Sequence, residues 1–386
     1  MRKFKQVATA LSPLALLIAS GCAAQSGDSA AATTTVGPFK VAAQGSFDNA
    51  WAIAFAPGTQ VLFVTEKPGT MKFVDLPSGR IGTVTGVPQV AYGGQGGLAD
   101  VAFLASEASP SLSRRTIYLS WAEPGEGNLR GGAVGRGTLV CEQTDTCRID
   151  DLKVIWRQTP MTAGMLQYAL RLTFSPDGKH LFVSSGDRVA IDNVQTLASD
   201  LGKIVRLLPD GSPAPGNPFA AQGSPANEVW TIGHRNPLGL KFDLNGRLFD
   251  LEHGPAGGDE INLLEPGKNY GWPLVSAGDN YNGTPIPKND TRPDLTGPVI
   301  TWNPVIAPGD FVFYSGKLWP EWRNQALIAG MKTTSIIRVS IDGNKGTEEA
   351  RVNFGKRLRA ITEAADGSLY VVEDGPNGRL LHLTPQ

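Results

Sequence analysis

Between residues 231 and 273 the run TIGHRNPLGLKFDLNGRLFDLEHGPAGGDEINLLEPGKNYGWP crowds polar groups together without the period of a helix. Arg235 and Asn236 set a cation beside a carboxamide, and Pro237 holds the preceding residue extended, which fixes where both side chains point. A guanidinium next to a carboxamide suits carboxylate or quinone oxygens. His253 stands before a Gly254-Pro255 corner that presents free carbonyls, because proline lacks an N–H and glycine permits tight backbone geometry. Glu260, its neighbour Asp259 and the carbonyl at Tyr270 add oxygen donors of the kind Ca²⁺ takes. The stretch reads as a site for an anion and a hard cation; the bland alternatives are a structural Arg-Asn turn and a solvated acidic loop.

Further cations lie downstream. Lys332 follows Ala329-Gly330-Met331, and in Arg357-Leu358-Arg359 the alternation of an extended chain puts both arginines on one face. With Arg235 they make four cations for one site in a chain of net charge −1, which implies a ligand carrying several carboxylates. Gln95 sits among glycines in Tyr92-GGQGGLADVAF. No helix and no Lys-Ser/Thr pair follow, so this is no phosphate loop. It is either a tight turn or a place where the backbone passes close to a ligand. Arg171, just before a strand, is either a surface charge or a ligand clamp, and it is counted here with the ligand contacts.

These groups need short strands and many turns to position them, and the composition supplies both. Among 386 residues there are 46 glycines and 28 prolines, too many turn formers for a mainly helical protein. Runs such as Trp51-AIAF, Val61-LFVTE, Met71-KFVDL, Leu181-FVSSGD and Leu369-YVVED read as strands. A turn followed by an aromatic and β-branched strand recurs from residues 56, 113, 175, 243, 315 and 364, at intervals of roughly 50 to 70 residues. The expected fold is all-β, a six-bladed β-propeller with four-stranded blades over 39–386. The alternative is a β-sandwich or two unrelated β domains. The final strand, GRLLHL, is expected to pair with chain near Phe39 to Phe55 and close the ring, which removes exposed sheet edges.

Residues 1–22 read as an export signal: Arg2, Lys3 and Lys5, then an apolar run from Val7 to Ala19, then Ala19-Ser20-Gly21-Cys22. The segment resembles a bacterial lipoprotein signal that would leave Cys22 lipidated, with ordinary cleavage near Ala23 or Ala24 as the alternative. Residues 23–38 read as a flexible tether. The expectation is an exported protein, periplasmic or held at the membrane through a lipid anchor only. In that setting Cys141 and Cys147 suit a disulfide across a hairpin; metal binding would need further ligands. The near-neutral charge gives nucleic acid no purchase.

Taken together, GQGGLADVAF, SSGDR, LGKIVRLLPDGS, GHRNPLGLKFD, EHGPAGGDEINLLEPGKNYGWP, IAPGDFVFYSGKLWPEW and RLRAI followed by DGSLYVVED resemble the soluble quinoprotein aldose sugar dehydrogenases over most of residues 45 to 385. The resemblance implies a propeller that binds pyrroloquinoline quinone (PQQ) and Ca²⁺, oxidises an aldose at C1 to the lactone, and passes electrons to a quinone or a redox protein. It assigns Gln95, Arg235, Asn236, Lys332, Arg357 and Arg359 to the cofactor and sets His253 beside the quinone plane. Gly254 and Pro255 match carbonyls that hold the Ca²⁺ polarising PQQ, while Glu260 and Tyr270 match a second, structural calcium site. Arg235 would stabilise charge on the quinone oxygens.

The family pattern places a histidine general base just upstream of Arg171, and here Gln167 stands in its place. A neutral carboxamide can hold a hydroxyl but is not basic enough to take its proton. Leu170, bulkier than the family's small residue, would narrow the site. Two alternatives follow: a non-catalytic PQQ- or sugar-binding propeller, and a calcium-dependent lactonase or esterase, against which the carboxylate-clamping cations argue.

Overall fold

The computed structural model describes residues 33–386. Strands dominate, and the only helical pieces among the described residues are short 3-10 turns. No helix there is long and apolar enough to cross a membrane. The signal segment and Cys22 lie outside the described residues. The expected tether ends sooner than residue 38: Thr34–Val36 is already a strand, paired antiparallel with Phe39–Val41. Its β-branched residues favour extended chain, and Gly37, at φ 55°, allows the tight reversal between the two.

The six repeated turn-strand units each land on a strand that is the second of an antiparallel run of four. Val61–Glu66, Leu181–Ser185, Leu248–Glu252, Ala326–Gly330 and Leu369–Glu373 are buried at every residue. Burial on both faces is why they read as near-continuous apolar runs. Outermost strands differ: Lys345–Asn353, KGTEEARVN, alternates exposed and half-buried residues and guards its edge with charge.

Hydrogen bonding groups the strands into five sheets. Three are four-stranded and one has five strands, Thr34–Val36 being the addition; the fifth has eight because Arg80–Thr85 and Thr146–Arg157, the outer strands of two consecutive runs, pair parallel to each other. The first strands of the runs touch in sequence: Ala50–Phe55, Leu98–Phe103, Ala169–Phe174, Pro237–Phe242, Pro308–Phe313 and Leu358–Glu363, with the last touching the first. Ring closure is as the sequence suggests. Phe39–Phe47 pairs antiparallel with Gly378–Pro385, from Phe39 opposite Pro385 to Phe47 opposite Gly378. Phe39 anchors the seam edge-on against Trp319 and Trp322, and burying such a ring contributes on the order of 2 kcal/mol.

Each first strand carries a register shift near its start, skipping Trp51, Ala99-Asp100, Leu170-Arg171, Leu238, Gly309 and Arg359 in turn. A bulge re-aims the side chains it carries, and here it aims them inward. Arg171 is the hub. Its guanidinium lies 3.9 Å from the Trp51 ring, donates to Leu238 O at 2.6 Å and Gly309 O at 2.8 Å, and meets Asp100 and Asp310 at 3.4 and 3.5 Å. At the rim, Cys141 and Cys147 form a disulfide across the hairpin of Arg130–Val140 and Thr146–Arg157.

Candidate cofactor and metal site

A cavity of about 190 Å³ opens at the mouth of the ring of first strands. Gln95, His253, Arg357 and Arg359 line it, as the sequence suggests, together with Trp51, Lys67, Met331 and Asp374. The two arginines do point together: Arg357 Nη2 and Arg359 Nη1 lie 3.4 and 3.2 Å from the Met331 sulfur. Arg357 also pairs with Asp374 at 2.8 Å. Arg359 is buried, and desolvation lowers it to about 10, so it is still charged near neutrality. Lys67 shares the cluster; desolvation and the repulsion of Arg359 and Arg357 lower its pKa. The sequence reading missed Lys67, whose position just after Val61–Glu66 was its only signal.

Four expected contacts do not line this cavity: Arg171, Lys332, Arg235 and Asn236. Arg171 does not line the cavity and is no surface charge: with a side-chain exposure of 1%, it is spent on the hub beneath. The bulge in Ala169–Phe174 turns it inward. Lys332 is exposed and does not line the cavity, because the chain turns outward after Met331, between Ala326–Gly330 and Ser335–Asp342.

Arg235 and Asn236 end the turn before Pro237–Phe242. Both backbone N–H groups donate to Glu252 Oε2, at 2.6 and 3.2 Å. Asn236 is wholly buried; its Oδ1 accepts from Ala169 N at 3.2 Å, while its Nδ2 has no partner. Arg235 Nη1 donates to His253 O at 3.2 Å and Gly254 O at 2.8 Å, and its Nε is likewise buried without a partner. His253 donates Nε2–H to Pro308 O at 2.7 Å. Burial, then Arg235, Arg359 and Arg357, depress this ring to about 4, so it is neutral near pH 7 and a weak base.

All four expected metal residues, Gly254, Pro255, Glu260 and Tyr270, border a single void of about 10 Å³, the scale of one ion or water. The sequence reading divided them between two sites. The Gly254 carbonyl is engaged by Arg235, so a cation there has to displace the guanidinium. Asp259 does not border this void; its carboxylate accepts from Gly254 N and Ala307 N. The Tyr270 hydroxyl donates to Leu263 O at 2.6 Å, leaving only its carbonyl for a cation.

Behind the void lies a cluster that the sequence reading did not see. Asp250, Glu252 and His234 are buried together, and Glu260 joins them through Asn262. His234 Nδ1 is 2.9 Å from Asp250 Oδ2 and 3.1 Å from Glu252 Oε1, so its N–H lies against both carboxylates. Burial opposes the charge on His234, and the Asp250 and Glu252 carboxylates outweigh it, raising the ring to about 9. Burial, followed by Glu252, pushes Glu260 well above the ordinary carboxylate value. Both Asp250 oxygens are buried without a hydrogen-bond partner. The His234 imidazolium balances one of these three carboxylates, and the remaining buried acid groups favour a further cation.

Gln167 faces a separate, more apolar cleft of about 540 Å³, walled by Leu166, Val189, Ile191, Trp272, Tyr281 and four prolines, with Arg235 and Asp187 at its inner end. Its backbone N–H donates to Gln95 Oε1 at 2.8 Å. Its side chain bridges two charges: the amide N–H donates to Asp187, and the amide oxygen accepts from Arg235 Nη2 at 2.9 Å, the orientation that satisfies both ends. Gln167, Ala169 and Leu170 have φ of 54°, 58° and 72°, and the facing Arg188 and Val189 have 55° and 61°. Non-glycine residues so held mark a place where the surrounding fold overrides local preference. Leu170 itself is buried among the first strands and does not narrow the cleft.

The fold and site define an all-β protein of propeller type with a cation-lined axial cavity. The chain belongs to the glucose/sorbosone dehydrogenase family, whose model matches residues 47–382. It is 36% identical over 349 residues to the aldose sugar dehydrogenase YliI of Escherichia coli K12, covering 89% of this chain and 92% of that protein. The structure of the soluble aldose sugar dehydrogenase from Escherichia coli superposes with a TM-score of 0.82 at 34% identity, covering 90% and 100% of the two chains. The PQQ-bound aldose sugar dehydrogenase of Streptomyces coelicolor gives 0.71 at 25% identity, covering 90% and 98%.

Proposed function

We propose that this chain is a PQQ- and calcium-dependent dehydrogenase that oxidises an aldose at C1 to the lactone and passes the electrons to a quinone or a redox protein. The observation that carries the reading is buried Arg359, whose Nε has no acceptor, in a cavity already lined by Arg357 and Lys67; two further buried donors without acceptors are Asn236 Nδ2 and the Nε of Arg235, which borders the adjoining void and cleft. Unpaired buried donors are costly, and an anionic quinone supplies the acceptors they lack. Gln95, Arg357, Arg359 and Lys67 would hold the cofactor, with His253 beside it. Gly254, Pro255, Glu260 and the Tyr270 carbonyl would hold calcium, supported by the carboxylate surplus behind them.

When bound, the quinone supplies a hydride acceptor for the sugar C1. The chain's own residues do the rest. Arg235 stands where negative charge develops. His253, neutral and bonded through Nε2 to Pro308, orients without titrating. The apolar walls of the cleft exclude water from the reacting centre.

The six-blade reading takes the eight-stranded sheet as two blades, and the closed circuit of first strands supports it. Export, to the periplasm or to a lipid anchor at Cys22, is supported by the Cys141–Cys147 disulfide, since such bonds persist in oxidising compartments.

Reconstitution tests the reading: load the protein with PQQ and Ca²⁺, follow the quinone spectrum, then add glucose and other aldoses. Bleaching of the quinone supports a dehydrogenase; failure to bind PQQ removes it. A second reading, a binding protein without turnover, is favoured by Gln167 at the base position, and it predicts binding without bleaching.

A further inference from the structure

The reaction needs a proton acceptor, and neither His253 nor the amide of Gln167 can serve. Asp187 lines the inner end of the cleft. Its carboxylate is held by Val189 N at 2.8 Å and Trp272 Nε1 at 2.7 Å, and the Gln167 amide N–H covers its open side. That amide donates a hydrogen bond to Asp187 and accepts one from Arg235. A hydroxyl in the same place would do both with a single oxygen. The Gln167 amide therefore stands in for the hydrogen bonding of a substrate alcohol, and it holds the gap between carboxylate and guanidinium ready for one.

Resting on the dehydrogenase reading above, we propose that Asp187 is the general base of the C1 oxidation in this chain, and that Gln167 is a movable cover over it. On binding, the Gln167 side chain turns aside and the C1 hydroxyl takes its place, donating to Asp187 and accepting from Arg235. A side-chain rotation of this kind is ordinary at a binding site. The hydroxyl O–H bond breaks and its proton passes to an Asp187 oxygen. The C1–H bond breaks, its electron pair leaving as hydride to the quinone cofactor, and the C1 oxygen becomes the lactone carbonyl. The sugar loses two electrons and the quinone gains two; Asp187 then returns its proton to solvent as the product leaves.

The environment tunes the carboxylate for this task. Burial, aided by the charge of Glu252, pushes Asp187 up to about 6, while Val189 N–H, Arg235 and Trp272 hold it from rising further. Arg188, next in the chain, is turned away to the carbonyls of Gly164 and Leu166. A base with a pKa near the working pH is ionised yet still able to accept a proton.

The test has two arms. In the protein without cofactor, labelled with ¹⁵N-tryptophan, the Trp272 indole signal, assigned by its loss in Trp272→Phe, should titrate with a midpoint near pH 6 and should be flat in Asp187→Asn. In the protein loaded with PQQ and Ca²⁺, kcat/KM for glucose should rise with pH through the same midpoint. Asp187→Asn should lower kcat by about 10²–10⁴-fold at unchanged PQQ affinity, and Gln167→Ser, which uncovers the carboxylate, should match or exceed the wild type. Asp187→Asn within threefold of wild type, or Gln167→Ser falling as far as Asp187→Asn, overturns the proposal while leaving the dehydrogenase reading intact. Failure of the wild type to bind PQQ, or binding without turnover, sinks both.

Discussion

Arg359 Nη1 meets the sulfur of Met331 at 3.2 Å, while its Nε has no partner at all. A guanidinium placed by a bulge, buried, and given a thioether instead of a carboxylate is held at a cost to the fold. Burial of charge without good pairing is destabilising, and such strain persists where function requires it.

The two effects of removing it should therefore have opposite signs. Arg359→Met should raise the melting temperature of the cofactor-free protein, because an unpaired buried charge disappears. The same substitution should weaken PQQ binding by about 10- to 100-fold, the worth of one or two charge-assisted hydrogen bonds. Thermal scans and a PQQ titration on one preparation check both; a loss of stability together with a loss of affinity would mean that Arg359 is merely structural.

Calcium should act through the carboxylates of Asp250, Glu252 and Glu260. Chelation should lower the melting temperature, and calcium at about 100 times its dissociation constant should restore about 2.7 kcal/mol. Glu260→Gln should abolish that calcium response. Without calcium the variant should be more stable than the wild type, since one of several crowded buried carboxylates is gone. Differential scanning with and without chelator reads each of these.

Much of the fold was legible because second strands such as Val61–Glu66 and Ala326–Gly330 are buried on both faces and announce themselves as apolar runs. Arg130–Val140, RGGAVGRGTLV, escaped notice because its glycines dilute the pattern. At the site, Arg357 and Arg359 were legible because alternation along a strand is a local rule. Arg171 was not: its direction depends on a bulge, and its partners Leu238, Gly309 and Asp310 come from distant parts of the chain. Asp187 was hidden for the same reason. In SSGDR it looks like the tail of a strand, and only the fold sets it against Gln167 and Trp272.

Gln167→His should raise turnover. An imidazole at that position has the Asp187 carboxylate to orient it and hold its proton, so base catalysis no longer needs the side chain to move aside. An increase of at least about tenfold in kcat is expected, within the range that a positioned base contributes. The pH midpoint of kcat/KM should also move up, because an adjacent carboxylate raises a histidine above its usual value near 6.5. Steady-state kinetics from pH 5 to 9 check this; an unchanged midpoint would mean that the imidazole is not the group being titrated.

Asp187 also makes a prediction about stability that needs no cofactor. Its pKa is raised from 3.8 to about 6 in the folded protein, so folding favours the protonated form. The stability this group contributes is fully present below the unfolded value of 3.8 and is lost as pH rises through about 6. Asp187→Asn removes the titration and leaves a neutral group of the same shape. Its stability relative to the wild type should therefore improve as pH rises from 4 to 7, by an amount on the order of 1–3 kcal/mol, whatever constant penalty the lost Val189 and Trp272 bonds impose. Urea unfolding of the two proteins at both pH values gives the double difference, in which every other titrating group cancels. A difference that stays flat across this range, or that falls, would show that the buried carboxylate is already satisfied as an anion, with the Gln167, Trp272 and Val189 donors outweighing its loss of water.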